Sequence, residues 1–451
     1  MYMERFLMEK LVEWKQSEFR KPLILKGARQ VGKTWLLEEF GRRHYENTVI
    51  FNFDENEEYK QFFEMTKEPG RLIANLSIAA GKKITPGDTL LIFDEIQECP
   101  EAINSLKYFC EKAPAYHVAC AGSLLGISLA KDISYPVGKV NFLELGPMTF
   151  TEFLAASGDD PYVGYLNSLT ELSPLPDAFM NPLIEKLKMY FITGGMPEAV
   201  YAWTQRQDPA LVQQILFEIL GTYERDFGKH PEKKDIPKIR LIWESLPSQL
   251  SRENKKFLYR AVKNGARARE YEDALQWLID AGLLYKIFRT SKPGIPVSAY
   301  DDLSAFKIYL LDVGLLRRLS NLAPSAFAEG NRLFEEFKGA LTENYVLQSL
   351  LRQFESTPRY WVIENPRHEV DFLIQRGNDI FPIEVKSSTN VESRSLKAYK
   401  SKYNDRTRLR IRYPLNNLCL DGDVLNIPLF MADQTDRLIG LALEKAQLHR
   451  V

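Results

Sequence analysis

Apolar residues at Phe6, Leu7, Leu11 and Trp14 recur at helical spacing within residues 3–16, and Pro22 then precedes a short apolar run, Leu23-Ile24-Leu25. The pattern predicts a helix, a turn and a buried strand. Runs of the same kind return at residues 49–53, 90–93 and 117–121, with helical stretches between them. Strands that are apolar throughout, rather than alternating with polar positions, are covered on both faces. Separated by helices, they predict a parallel, doubly wound α/β sheet. This reading gives an α/β domain over residues 1–150.

After Pro147 the pattern changes. Residues 149–156 and 180–203 read as helices, and no buried strand run appears before about residue 280, so residues 151–232 are expected to form a helical lid or adaptor. The helical pattern continues through residues 271–278 and breaks at Gly282. A strand-like segment, 283–288, follows, with a proline-containing return through Pro296 to Tyr300. Helices followed by a hairpin describe either a winged helix or a plain helical packing module over residues 233–318. The last part, residues 319–451, opens with a helix near 335–351 whose Leu341, Tyr345, Val346 and Leu350 share one face. Strand runs at 360–363, 370–374 and 381–385 make it a second α/β unit.

At 451 residues the chain is long for one hydrophobic core, which agrees with several domains. With 45% hydrophobic and 26% charged residues it has the composition of a folded globular protein. A net charge of -1 excludes a globally basic nucleic-acid coat and leaves only local patches for such contacts. Cys99, Cys110, Cys120 and Cys419 include no CxxC pair, and no apolar leader opens the sequence, so a reducing cytoplasm is expected. No apolar run approaches the roughly 18 residues of a membrane span. The five histidines stand singly, without the spacing of a zinc site or a histidine-based triad.

The most specific chemistry follows the first strand. Gly27, Ala28, Arg29, Gln30, Val31, Gly32, Lys33 and Thr34 satisfy G-x-x-x-x-G-K-[ST] between a predicted strand and a predicted helix. In such a P-loop the glycines let backbone N–H groups converge on phosphate oxygens, assisted by the positive end of the helix. Lys33 would reach the β and γ phosphates and Thr34 would ligate Mg²⁺. The strand at 90–93 ends in Asp94 and Glu95, placing Asp94 for the magnesium shell and Glu95 for a water in line with the γ-phosphate. These motifs predict ATP, or a related triphosphate, as ligand and substrate, with magnesium as cofactor. Ser123, after the strand at 117–121, is a candidate γ-phosphate sensor or an ordinary loop residue.

GARQVGKT at 27–34, Asp94-Glu95-Ile96-Gln97 and Ala121-Gly122-Ser123 resemble the AAA-superfamily ATPases of bacteria and archaea that carry a C-terminal domain of unknown function. Further points of resemblance are LGPMTFTEF at 145–153, GGMPEAV at 194–200 and YLLDVGLL at 309–316. The resemblance implies ATP binding in a AAA-type domain and a C-terminal fold similar to restriction-endonuclease-like nucleases. Relatives often carry a Pro-Gly-Arg where this chain reads Pro136-Val137-Gly138-Lys139. Lys139 would offer a point charge in place of a bidentate finger.

Independently of the resemblance, Asp371 and Glu384-Val385-Lys386 form D-x₁₂-E-x-K, with Glu384 and Lys386 two residues apart on one strand and so on one face. The arrangement resembles PD-(D/E)xK nucleases, in which the carboxylates hold a metal and the lysine polarises water. Glu343, on the preceding helix, is the candidate third carboxylate. Downstream, Arg394, Lys397, Lys400, Lys402, Arg406, Arg408, Arg410 and Arg412 stand against a single acid, Asp405. That stretch is either a phosphate-contacting patch or a solvated surface. Two readings of the whole chain follow. In one, ATP turnover drives the binding or processing of DNA or RNA. In the other, the ATPase is a switch for a protein partner and the C-terminal domain only binds. An oligomer is compatible with either.

Overall fold

The computed structural model describes residues 3–122, 138–228, 231–252, 256–327, 335–364, 367–386 and 393–448. The chain divides into two compact units, Met1–Pro147 with Gln276–Leu283, and Met148–Leu275 with Leu284–Val451.

The first unit is built on α1 (Leu7–Gln16), β1 (Leu23–Lys26), α2 (Lys33–His44), β2 (Asn47–Asn52), α3 (Glu58–Met65), α4 (Pro69–Ala80), β3 (Thr89–Asp94), α5 (Pro100–Lys112), β4 (His117–Ala121) and β5 (Asn141–Glu144). The five strands lie in the order β2-β3-β4-β1-β5, all parallel. This is the mixed α/β architecture with the parallel P-loop sheet expected from the sequence. The four apolar runs became its four central and flanking strands. β5 (NFLE) carried no such run, and its residues alternate between half-covered and exposed. Rings from β2, α3, β3 and α5 fill the core, with Phe93 meeting Phe63 edge-on at 5.4 Å and Phe109 at 6.4 Å. The register sets Asn52 beside Asp94 and Leu25 beside Ala121, so β1, β3 and β4 end together at the carboxyl edge where parallel sheets bind ligands.

The second unit begins with helices at Phe150–Ala156, Asp160–Ser168, Asp177–Thr193, Pro197–Arg206, Pro209–Asp226 and Ile236–Leu250. The single helix expected over residues 180–203 is two, because Gly194, at φ 72°, Gly195 and then Pro197 interrupt it. Helices at Tyr259–Val262 and Ala268–Asp280 lead to the antiparallel hairpin of β6 (Leu284–Thr290) and β7 (Asp301–Leu310). The expected return at residues 296–300 is instead a short 3₁₀ turn at Val297–Tyr300, and the returning strand starts after it. β6 also pairs in parallel with β8 (Arg359–Glu364) at Arg289 and Tyr360. The hairpin therefore continues the C-terminal sheet through β9 (Arg367–Arg376), β10 (Asp379–Val385), β11 (Arg410–Tyr413), β12 (Cys419–Asp421) and β13 (Val424–Asn426). The order is β12-β13-β11-β10-β9-β8-β6-β7. Helices at Glu335–Gln353, Arg394–Lys402 and Thr435–Leu448 accompany it.

Three of the recognised sequence segments meet in this unit's interior. Asp312 caps the helix Val313–Leu319, accepting from Leu315 N at 2.9 Å, and also accepts from Gly195 N at 2.7 Å. A Cβ on Gly195 would lie 2.1 Å from Met148 O, and one on Gly314 would lie 2.6 Å from the Gly194 backbone. The Tyr190 hydroxyl donates to Met148 O at 2.6 Å. The glycines of GGMPEAV and YLLDVGLL are thus there for close backbone approach, and the aspartate satisfies the N–H groups buried by it. Among the described residues no helix is long and apolar enough to cross a membrane.

Candidate functional site

The loop between β1 and α2 bends through three left-handed or glycine-only conformations, Gly27 at φ 149°, Gln30 at φ 65° and Gly32 at φ 89°. A side chain at Gly27 is excluded on space as well, since its Cβ would lie 2.1 Å from Leu145 O. These bends wrap the backbone round the N-terminus of α2, which begins at Lys33 with no side-chain cap on its free N–H groups. Lys33 Nζ donates to Gly27 O at 2.9 Å and Ala28 O at 2.7 Å, and the residue is 7% exposed. Burial pulls its ammonium down to about pKa 8, against the opposing pull of Glu95 and Asp94 and with a further push from Arg29.

Thr34 and Asp94 come together as expected: the Thr34 hydroxyl lies 3.0 and 3.1 Å from the two Asp94 carboxylate oxygens. Burial, then the neighbouring Glu95 carboxylate, pushes the Asp94 carboxyl above its ordinary range. Such a carboxylate is short of positive charge. With hard oxygen ligands only, and a glycine cradle beside it, the residues fit a magnesium-bound triphosphate. Asn52, unmarked in the sequence reading, approaches Asp94 Oδ2 at 3.5 Å from the adjoining strand. Glu95 follows at φ 47°, a left-handed conformation uncommon for a non-glycine residue, and Gln97 Nε2 donates to its Oε2 at 2.6 Å. Strained backbone of this kind clusters where a side chain must be aimed. Ser123 lies outside the described residues. Lys139 is paired with Glu111 at 2.9 Å on the surface.

In the C-terminal sheet, Lys386 Nζ meets Glu384 Oε1 at 2.6 Å, which agrees with their sharing a strand face. Val385 N donates to Asp371 Oδ2 at 2.8 Å, bringing that carboxylate to the end of β10. Glu384 is buried, and its second oxygen has no hydrogen bond among the described residues. The expected third ligand does not join them. Glu343 accepts from the Tyr309 hydroxyl at 3.1 Å, and no group of three or more His, Cys, Asp or Glu suited to a metal ion occurs among the described residues. Nearby, the fully buried Lys307 is ion-paired with Glu369 and lies over the Tyr360 ring. β7 therefore carries a buried cation that no motif announced.

Part of the basic stretch has acidic partners from elsewhere in the chain. Asp423, distant in sequence, takes Lys400 at 2.8 Å and Arg410 at 2.5 Å, while Asp379 takes Arg408 at 2.8 Å. Arg412 is buried and donates to Asn426 Oδ1. A charge count along the chain could not see these acids, because they arrive from β10 and the β12–β13 turn.

Residues 19–154 match the family model of a AAA domain. Residues 184–326 and 338–430 match two models described only as domains of unknown function, DUF8612 and DUF4143. The first unit has the fold and the sequence of a AAA-type P-loop domain. No match was found among curated proteins. Among solved structures the chain is similar to a Walker-type ATPase of Pyrococcus abyssi, at 14% identity over 70% of this chain and 96% of that one, with a TM-score of 0.44. It is also similar to the ORC2 protein of Aeropyrum pernix, at 12% identity over 72% and 91%, TM-score 0.34. A third is the RuvB Holliday junction branch migration motor of Thermotoga maritima, at 14% identity over 63% and 89%, TM-score 0.28.

Proposed function

We propose that the protein binds magnesium-ATP at the P-loop and hydrolyses it, and that the second unit uses the resulting change of state. What carries this reading is the convergence of a buried, partly desolvated Lys33 with the bonded pair Thr34 and Asp94 at one sheet edge. The α2 N-terminus and the loop N–H groups would hold the phosphates, Lys33 would move from the Gly27 and Ala28 carbonyls to the β and γ oxygens, and Thr34 with Asp94 would hold the metal. Magnesium, once bound, supplies charge neutralisation at those oxygens. Glu95 would orient the attacking water from its fixed backbone turn. Lys33→Ala should lose most ATP affinity, whereas Glu95→Gln should keep it and turn over about 10²-fold more slowly. A Glu95→Gln variant that hydrolyses at the wild-type rate refutes the assignment.

For the target we propose nucleic-acid binding or processing through the C-terminal domain, with Asp371, Glu384 and Lys386 as the cutting residues. The bare buried oxygen of Glu384 beside its paired lysine supports this. The second reading, a nucleotide-gated switch for a protein partner, is favoured by the neutralisation of Lys400, Arg408 and Arg410 by Asp423 and Asp379. ATPase rates with and without single-stranded, duplex and branched nucleic acid at two salt concentrations separate the two: salt-sensitive stimulation favours the first, its absence the second. Asp371→Ala and Glu384→Ala should abolish any nicking with Mg²⁺ or Mn²⁺ and spare ATP turnover. All four cysteines are free thiols, which accords with a reducing cytoplasm.

A further inference from the structure

Arg5 precedes α1, far in sequence from the P-loop, yet only 5% of it is exposed. Its Nη1 donates to Val31 O at 2.9 Å and its Nη2 to Gly146 O at 2.6 Å. Val31 is the buried residue before Gly32 in the loop. In a planar trans peptide the C=O and the following N–H point in opposite directions, so fixing the Val31 oxygen on one side aims the Gly32 N–H to the other. Gly32, at φ 89°, has backbone freedom that nothing in its own side chain restrains. The other end of the guanidinium holds Gly146, in a segment already tied to the loop: Leu145 N donates to Lys26 O at 2.8 Å, and Leu145 O is the atom that leaves no room for a side chain at Gly27.

We infer that Arg5 is a positioning residue for the nucleotide site, holding the Val31–Gly32 peptide in its phosphate-facing orientation by bridging it to Gly146. The role rests on the ATP reading above and adds a residue to it that belongs to no P-loop motif. A planar fork with several donors suits two carbonyls at once, whereas an ammonium is a point charge that cannot reproduce its fixed geometry. Through these two carbonyls Arg5 acts on the shape of the loop. Its loss should therefore act on the readiness of the loop to receive phosphate more than on the chemical step.

The test is magnesium-dependent binding of a fluorescent ATP analogue, with steady-state turnover, in the full-length wild type, Arg5→Lys, Arg5→Gln, Arg5→Ala and Lys33→Ala, each checked for folding by circular dichroism. Arg5→Ala should bind about tenfold or more weakly, the size of losing one charge-assisted hydrogen bond, with KM raised by a larger factor than kcat falls. Arg5→Lys should be intermediate. Millimolar guanidinium ion should recover affinity in Arg5→Ala but in neither the wild type nor Lys33→Ala. If Arg5→Ala does not fold, Arg5→Gln carries the comparison. A folded Arg5→Ala or Arg5→Gln that binds ATP as the wild type does overturns the inference, as does a defect confined to kcat. Failure of the wild type itself to bind ATP sinks the underlying ATP reading instead.

Discussion

The buried ammonium of Lys33 makes ATP binding dependent on pH in a direction that the structure fixes. Desolvation, the largest influence on the group, lowers it to about pKa 8 in the free protein. Bound triphosphate would surround the same nitrogen with negative oxygens and hold it charged well above that. The binding-competent protonated form is then dominant at pH 7 and about a tenth of the free protein at pH 9. The apparent ATP dissociation constant should rise about tenfold across those two units. Near pH 8, binding should take up about half a proton. Titration calorimetry at pH 7, 8 and 9, repeated in buffers of different ionisation enthalpy, measures both quantities. Lys33→Arg should flatten the profile, since a guanidinium stays charged throughout. Stability runs the other way. For a base whose folded pKa is depressed from 10.5 to about 8, the unfolded chain binds more protons between those values, so stability rises with pH there and is lost as pH falls through about 8. An ATP affinity that stays level from pH 7 to 9, with no proton uptake at pH 8, refutes the reasoning.

Asp312→Ala should lower stability by about 2–5 kcal/mol in chemical unfolding, because it orphans the buried N–H groups of Gly195 and Leu315; an unchanged midpoint refutes it. Lys307→Met should cost about 1–3 kcal/mol by removing the buried counter-charge of the partly exposed Glu369. Adding Glu369→Gln to Lys307→Met should recover part of that loss, and strict additivity of the two changes in a double-mutant cycle would contradict the pairing. Gly27→Ala should abolish ATP binding, as measured with the same fluorescent analogue, since its Cβ would lie 2.1 Å from Leu145 O.

What was legible in the sequence was local or periodic. The P-loop declared itself because phosphate binding demands fixed residue types within eight positions, and β1, β3 and β4 because strands covered on both faces are written as apolar runs. Glu384 and Lys386 were legible as neighbours because a strand's period is two. The rest depends on residues brought together from afar. Arg5 is one arginine among many until the fold sets it under Val31. The role of LGPMTF, GGMPEAV and YLLDVGLL emerged only when Met148, Gly195 and Asp312 were seen in contact. The acids paired with part of the basic stretch were not legible, because Asp379 and Asp423 reach it across the sheet. The hydroxyl of Tyr309 on Glu343 was not legible either, because it comes from β7, distant in sequence.

The pairing of β6 with β8 bears on how the chain can be dissected. The hairpin belongs to the region matched by one family model and β8 to the region matched by another, yet a single sheet runs through both. A fragment ending near residue 327 would strip β6 of a neighbour, and one starting near residue 335 would leave the flank of β8 bare. Open strand edges recruit other chains. Pieces cut at that family boundary should therefore tend to self-associate, and any attempt to assign activity to the C-terminal region alone is better made on a piece that begins ahead of Leu284, so that hairpin and sheet are expressed together.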